Sequence, residues 1–153
     1  MGNEALVDFV NRMIFNVAIA NSDMHLKNWS VIYRDGRTPE LAPAYDFVST
    51  KLYLGGSETG LAIGSARDFS NVTLEQFERM AQRAQVSSRV VRGAAIAMVE
   101  RIRDEWTLYR ANVPEAVVKV IDDQFLKVPV LAGEHATPIG SDVPSGPTHQ
   151  EIS

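Results

Sequence analysis

Asp23, His25 and Asn28 fall within one short stretch, NSDMHLKN (21–28), with Lys27 among them. The stretch follows directly on the mostly apolar run ALVDFVNRMIFNVAIA (5–20). A carboxylate, an imidazole and a carboxamide at such close spacing can handle a proton and a hard cation together. Phosphoryl transfer needs that combination: a carboxylate meets the nucleophile's hydroxyl, and oxygen ligands hold Mg²⁺ against a triphosphate. Mg²⁺ takes few protein ligands, mostly carboxylate or amide oxygens completed by water. Asp46, within YDF (45–47), supplies a second carboxylate farther along.

The order of these residues is informative. In protein kinases the catalytic-loop aspartate is followed five residues later by a metal-binding asparagine. A second metal-binding aspartate comes beyond a short hairpin. Here Asn28 stands five residues after Asp23, a hairpin signal intervenes, and Asp46 is followed by an aromatic residue. Standing alone, D-x-H-x-x-N is a weak pattern that chance gives in roughly one chain in a hundred of this length. Alone it is better explained by a cap and a turn. The hairpin and the position of Asp46 reverse that balance. For His25, a structural hydrogen bond competes evenly with a phosphate contact. Lys27 reads as a solvated or structural charge.

Other candidates carry less. Gly55, Gly56 and Gly60 fit neither G-x-G-x-x-G nor the Walker A spacing and read as turn residues. Arg67-Asp68 lacks an asparagine at the right offset, since Asn71 comes only three residues after Asp68, so the pair reads as a loop.

The elements that must position these residues follow from periodicity. Residues 4 to about 20 read as a helix with Leu6, Phe9, Val10, Met13, Ile14 and Val17 as its apolar stripe. Asp8, Arg12 and Asn16 recur every four and should form its wet side. NSD should end the helix by side-chain competition for backbone groups. WSVIYR (29–34) reads as a strand, and Asp35-Gly36 as a two-residue hairpin turn with positive φ at both positions. Pro39 and Pro43 make the returning strand irregular. Residues 52–64 look turn-rich with weak strands. Thr73 with Gln76 forms a capping box for a helix at LEQFERMAQRA (74–84). Ser87 or Ser88 caps a longer helix to about Asn112, with Trp106 and Tyr109 on its core stripe. Pro114 opens a third helix, EAVVKVIDDQFLKV (115–128). The expected class is therefore α+β, mainly α: a small β-hairpin beside the loop and a helical bundle. From Gly133 the chain is rich in Gly, Pro, Ser and Thr and reads as a disordered tail over 133–153. His135 and His149 lie there and receive no chemistry.

The chain has 153 residues, 45% of them hydrophobic and 22% charged, which suits one globular domain. A net charge of −4 argues against an obligate nucleic-acid binder. With no cysteine, disulfides and cysteine-rich zinc sites are excluded. The polar residues Asp8, Asn11, Arg12 and Asn16 make the first apolar run a poor membrane span. A cytoplasmic location is the expectation.

At these residues the sequence resembles the HipA family, the kinase toxins of bacterial toxin–antitoxin pairs. The likeness runs through FNVAIANSDMHLKNWSVIY (15–33), LAPAYDFVST (41–50) and LAIG (61–64). It extends with lower specificity to VPVLAG (128–133), covering residues 5–132 in outline. The resemblance implies the C-terminal lobe of a kinase-like fold, over 1–132, in a Ser/Thr protein kinase that uses ATP and Mg²⁺. It implies that Asp23 is the catalytic base, that Asn28 and Asp46 hold Mg²⁺, and that His25 belongs to the same catalytic loop. It further implies a HipB-like helix-turn-helix antitoxin as partner and a translation component such as an aminoacyl-tRNA synthetase as substrate.

The resemblance also implies an N-terminal half with a phosphate-covering loop and a nucleotide-binding lysine, which this sequence does not contain. The chain then reads as a piece of a longer protein, a truncated gene product or one half of a split protein. Three functions remain open: the kinase lobe, inactive alone; a non-catalytic module that binds an antitoxin or a separate N-terminal lobe; and a metal-dependent hydrolase using Asp23, His25 and Asp46. The hydrolase ranks last, because it wants further metal ligands.

Overall fold

The structure, a computed structural model, describes residues 2–133. The expected disordered tail, with His135 and His149, lies outside the described residues apart from Gly133. The expectation of a mainly helical α+β fold holds. Helix α1 (Asn3–Ala18) leads into the polar loop. Strands β1 (Val31–Ile32) and β2 (Glu40–Leu41) pair antiparallel, Val31 opposite Leu41. A single helical turn, α2 (Lys51–Leu54), precedes a second antiparallel pair, β3 (Glu58–Ile63) and β4 (Ala66–Asp68). Helices α3 (Leu74–Arg83), α4 (Ser88–Tyr109), α5 (Glu115–Lys127) and the short α6 (Pro129–Ala132) complete the described chain.

The core forms where α1 and α3 both pack on α4. Val10, Met13, Ile14 and Val17 are fully buried and meet Phe77, Val91, Ala95 and Val99. Each such large side chain contributes on the order of 1.5–3 kcal/mol by leaving water. The apolar stripe of α1 is thus the stripe the periodicity predicts. Its opposite side departs from expectation. Asn16 is 2% exposed rather than wet. The β2 return lies over that side, where Arg12 donates to the Ala42 carbonyl at 2.7 Å and pairs with Asp8.

The end of α1 is set by backbone geometry, not by NSD. Ala20 takes a left-handed φ of 55°. The Ala20 amide then donates to Val17 O, and the Asn21 amide to Asn16 O. This paired closure satisfies two carbonyls that a helix end leaves open. Gln124 of α5, itself buried, donates to Val17 O at 2.8 Å and ties the same helix end to the C-terminal helices.

Several local expectations are corrected. The strand expected over 29–34 shrinks to Val31–Ile32, and residues 33–39 form a wider connection than a two-residue turn. Gly36 has positive φ but Asp35 does not. Asp35 instead uses its carboxylate to accept from the Arg37 and Thr38 amides and from the Thr38 hydroxyl. Arg67-Asp68 belongs to strand β4 rather than a loop. Thr73 caps α3, but Gln76 turns away to accept from Ser65 instead of closing the box. Ser87, not Ser88, caps α4. Tyr109 is 58% exposed, outside the core, because nothing covers the last turns of α4 on that side among the described residues.

The loop around Asp35 generates a pH prediction. The Thr38 hydroxyl, then the Thr38 and Arg37 amides, hold the Asp35 carboxyl at about 2, below its ordinary 3.8. Hydrogen bonds to the charged form lower a carboxyl pKa. The contribution of this turn is therefore complete above about pH 4 and is lost as pH falls toward 2. Carboxyl-detected NMR titration should find Asp35 ionising well below its ordinary 3.8. Thr38→Val should bring it back toward the ordinary range. An unshifted Asp35 in the parent chain would show that the turn is not formed in solution.

Candidate active site

Three segments meet at the C-terminal end of α1: the polar loop, the YDFVST segment after β2, and β3. The loop leaves α1 through Ala20 and closes on itself in a 3-10 turn at Leu26–Asn28. Asn28 Nδ2 donates to the Asp23 carbonyl at 2.9 Å. That bond spans the motif, and it is the local reason for the five-residue spacing. It also leaves the Asn28 Oδ1 as the end of the carboxamide available to a ligand. His25 Nε2 lies 2.9 Å from Asp23 Oδ1, so the imidazole presents an N–H to the carboxylate. Asp23 is half-buried and His25 exposed.

The second segment is fastened to the first by several bonds. Asn21 Nδ2 donates to the Asp46 carbonyl at 3.2 Å. The Ser22 amide donates to Thr50 Oγ1 at 2.6 Å. The Tyr45 hydroxyl donates to Lys27 O at 3.1 Å and shares a bond with Ser30 Oγ. Asp46 itself sits at φ 61°, a left-handed position that a non-glycine residue holds only when its surroundings over-determine it.

Asn28 and Asp46 line one recess, together with Arg12, Trp29 and Tyr45. Its interior holds about 10 Å³, room for about one water. Asp23 is joined to this recess through its carbonyl and the Asn28 amide rather than lining it. Among the described residues, no three of His, Cys, Asp and Glu come together as a metal cluster. Asp23, His25 and Asp46 therefore lack the grouping the hydrolase reading requires. Lys27 is exposed, with no salt bridge of its own among the described residues.

Three residues that hold the site were given no part in it by sequence reasoning. Thr50 receives the loop amide, Asn16 is a buried partner at its root, and Gly60 packs on its outer side. A Cβ on Gly60 would stand 2.4 Å from Ser22 O and 3.1 Å from Met24 N, on either side of Asp23. Gly60 lies in β3 at φ 59°, not in the turn expected of it. Its signal was readable: a glycine inside a strand pattern often marks a close backbone approach.

The comparisons with known proteins can be set beside this geometry. The family model described as HipA-like C-terminal domain matches residues 1–106. The chain belongs to the HipA-like C-terminal domain family. A Sinorhizobium fredii protein named "Putative kinase Y4dM" is 39% identical over 118 residues, covering 76% of this chain and 29% of that protein. A second from the same organism, "Putative kinase Y4mE", is 28% identical over 119 residues, covering 77% and 26%. In the solved complex of Shewanella oneidensis MR-1 HipA, HipB and operator DNA, one chain shares the fold with a TM-score of 0.63 at 20% identity. That match covers 83% of this chain and 30% of the other. This HipA-like domain thus spans less than a third of each of these relatives. No helix among its described residues is long and apolar enough to cross a membrane.

The packing of β3 on the HipA-like loop can be tested by two glycines. Gly55 and Gly60 both have positive φ, but a Cβ on Gly55 meets nothing within 4 Å. Gly55→Ala should show only the backbone cost, roughly 1–3 kcal/mol for a side chain at a glycine-only conformation. Gly60→Ala should lose clearly more in denaturant unfolding and shift the amide resonances of Ser22 to Met24. Equal losses would show that β3 does not bear on the loop.

Proposed function

We propose that this chain is the catalytic C-terminal lobe of a HipA-like Ser/Thr protein kinase, which transfers the γ-phosphate of ATP to a protein hydroxyl. The observation that carries the proposal is the convergence at one helix end: Asn28 and Asp46 share a recess, and Asp23 is tied to its rim. Asp23 accepts the proton of the incoming hydroxyl, and His25 orients its carboxylate. The donor set fits Mg²⁺, since Asn28 Oδ1 and the Asp46 carboxylate are hard oxygen ligands that leave several positions to water and phosphate. Mg²⁺ bound with ATP supplies neutralisation of the phosphate charge as the γ-phosphoryl moves.

These residues supply a base and two ligands but not a cover for the phosphates. Positioning can account for roughly 7–11 kcal/mol of a barrier. The chain alone should therefore bind Mg²⁺-ATP weakly or not at all and turn over immeasurably slowly.

A second reading makes the chain a non-catalytic module that docks a HipB-like antitoxin or a separate N-terminal lobe. Two observations favour it: the Shewanella relative was solved with HipB, and large apolar side chains stand exposed around the site. Leu26, Tyr53 and Leu54 are 73%, 80% and 75% exposed. Exposed large apolar side chains mark protein contacts where they gather into one patch.

Transfer of radiolabelled phosphate separates the two readings. Joined to an N-terminal half of the HipA kind, the chain should phosphorylate protein, and Asp23→Ala and Asp46→Ala should each abolish transfer. Both variants should stay folded, because neither side chain is in the core. Near-parental transfer by Asp23→Ala would show that Asp23 is not the base. An inactive joined protein that still binds a HipB-like partner would favour the module.

A further inference from the structure

Two buried amides, Asn16 and Asn21, form part of the inner wall of the recess. Asn16 and Asn21 are each 2% exposed. Asn21 Nδ2 donates one proton to Asn16 Oδ1 at 2.7 Å and the other to the Asp46 carbonyl at 3.2 Å. Asn21 Oδ1 accepts the Asp23 amide at 3.0 Å. Asn16 Nδ2 in turn donates to Arg12 O inside α1 at 2.9 Å. The orientation of the Asn21 carboxamide is forced. Turning it over would set its oxygen against two acceptors and its nitrogen against a donor.

We infer that Asn21 is the positioning residue of this site: one buried carboxamide fixes the Asp23 backbone and the Asp46 backbone relative to each other and to α1. The inference deepens the kinase reading and rests on it only for its consequence, the placement of base and metal ligand. Asp46 holds a left-handed φ that an L-residue disfavours, and its carbonyl is the atom Asn21 grips. Releasing that carbonyl lets residue 46 relax toward an ordinary conformation and changes how Asp46 lines the recess. The Asp23 side keeps its own acceptor, so the two loops become independent.

The two asparagines offer a matched pair of variants. Asn21→Asp keeps the acceptor for the Asp23 amide and removes both donated bonds. Asn16→Asp keeps the acceptor that Asn21 uses and removes only the bond to Arg12 O. Both bury a carboxyl at neighbouring places, so a merely structural role would perturb both alike. The full chain, labelled with ¹³C and ¹⁵N, is compared in the three forms by NMR without metal or nucleotide. In Asn21→Asp the carbonyl and Cα resonances of Asp46 should move out of the left-handed range, while the Asp23 amide keeps slow exchange. In Asn16→Asp the Asp46 resonances should stay at parental positions. Equal movement of Asp46 in both variants, or movement in neither, overturns the inference. Should Asn21→Asp fail to fold, Asn21→Gln, which keeps both amide protons but not their reach, takes its place with the same expected loss at Asp46. These signals need no catalysis, so the kinase reading can fail in the transfer assay while this inference stands or falls separately.

Discussion

The structure depends on how α1 ends. A helix terminus leaves carbonyls without partners, and burying them unsatisfied is costly. Here the chain turns back through a left-handed Ala20, so that the amides of Ala20 and Asn21 close on Val17 and Asn16. This closure drives Asn21 inward instead of out to solvent. A buried carboxamide must then find partners, and it finds them in Asn16, Asp23 and Asp46. The polar loop and the YDF segment are thus held together by the same bonds that finish a helix. Gln124 and Gly60 brace the arrangement from two further sides, one by a hydrogen bond and one by the absence of a side chain.

A buried polar network of this kind gains its value from being complete. Asn21 uses both of its protons and its oxygen, which avoids the penalty of an unpaired group in a low-dielectric interior. The geometry it fixes is that of backbone atoms, at a place where Asp46 and Asn28 both line the recess. Rigid support beneath exposed oxygen ligands is what a metal-dependent transfer site needs.

Much of the fold could be read from the sequence, because long periodic segments declare themselves. The stripe of α1, the caps at Thr73 and Ser87, and the helix after Pro114 follow from local rules. The closeness of Asn28 and Asp23 was legible from spacing, since Asn28 folds back on the carbonyl of Asp23 within one turn. The supports were not. Asn16 shares a period of four with Asp8 and Arg12, and that pattern normally means solvent. Here the polar loop folds back so that Asn21 bonds it, and the segment after β2, distant in sequence, lines the same recess. Asp35-Gly36 has the composition of a tight hairpin, yet the Asp35 carboxylate finds three donors in a wider loop and takes them. In both cases a partner distant in sequence, or a competing side-chain bond, decided the outcome.

The central claim is that Asn28 and Asp46 form the metal side of a phosphoryl-transfer site whose base is Asp23. It is tested most directly by crystals of this chain joined to an N-terminal half of the HipA kind, grown with Mn²⁺ and a non-hydrolysable ATP analogue. Anomalous scattering locates Mn²⁺ without assumption about its ligands. The account predicts a peak bonded to Asn28 Oδ1 and the Asp46 carboxylate, with the γ-phosphate directed toward Asp23. A Mn²⁺ peak elsewhere, with Asn28 and Asp46 bound to neither metal nor nucleotide, would contradict it.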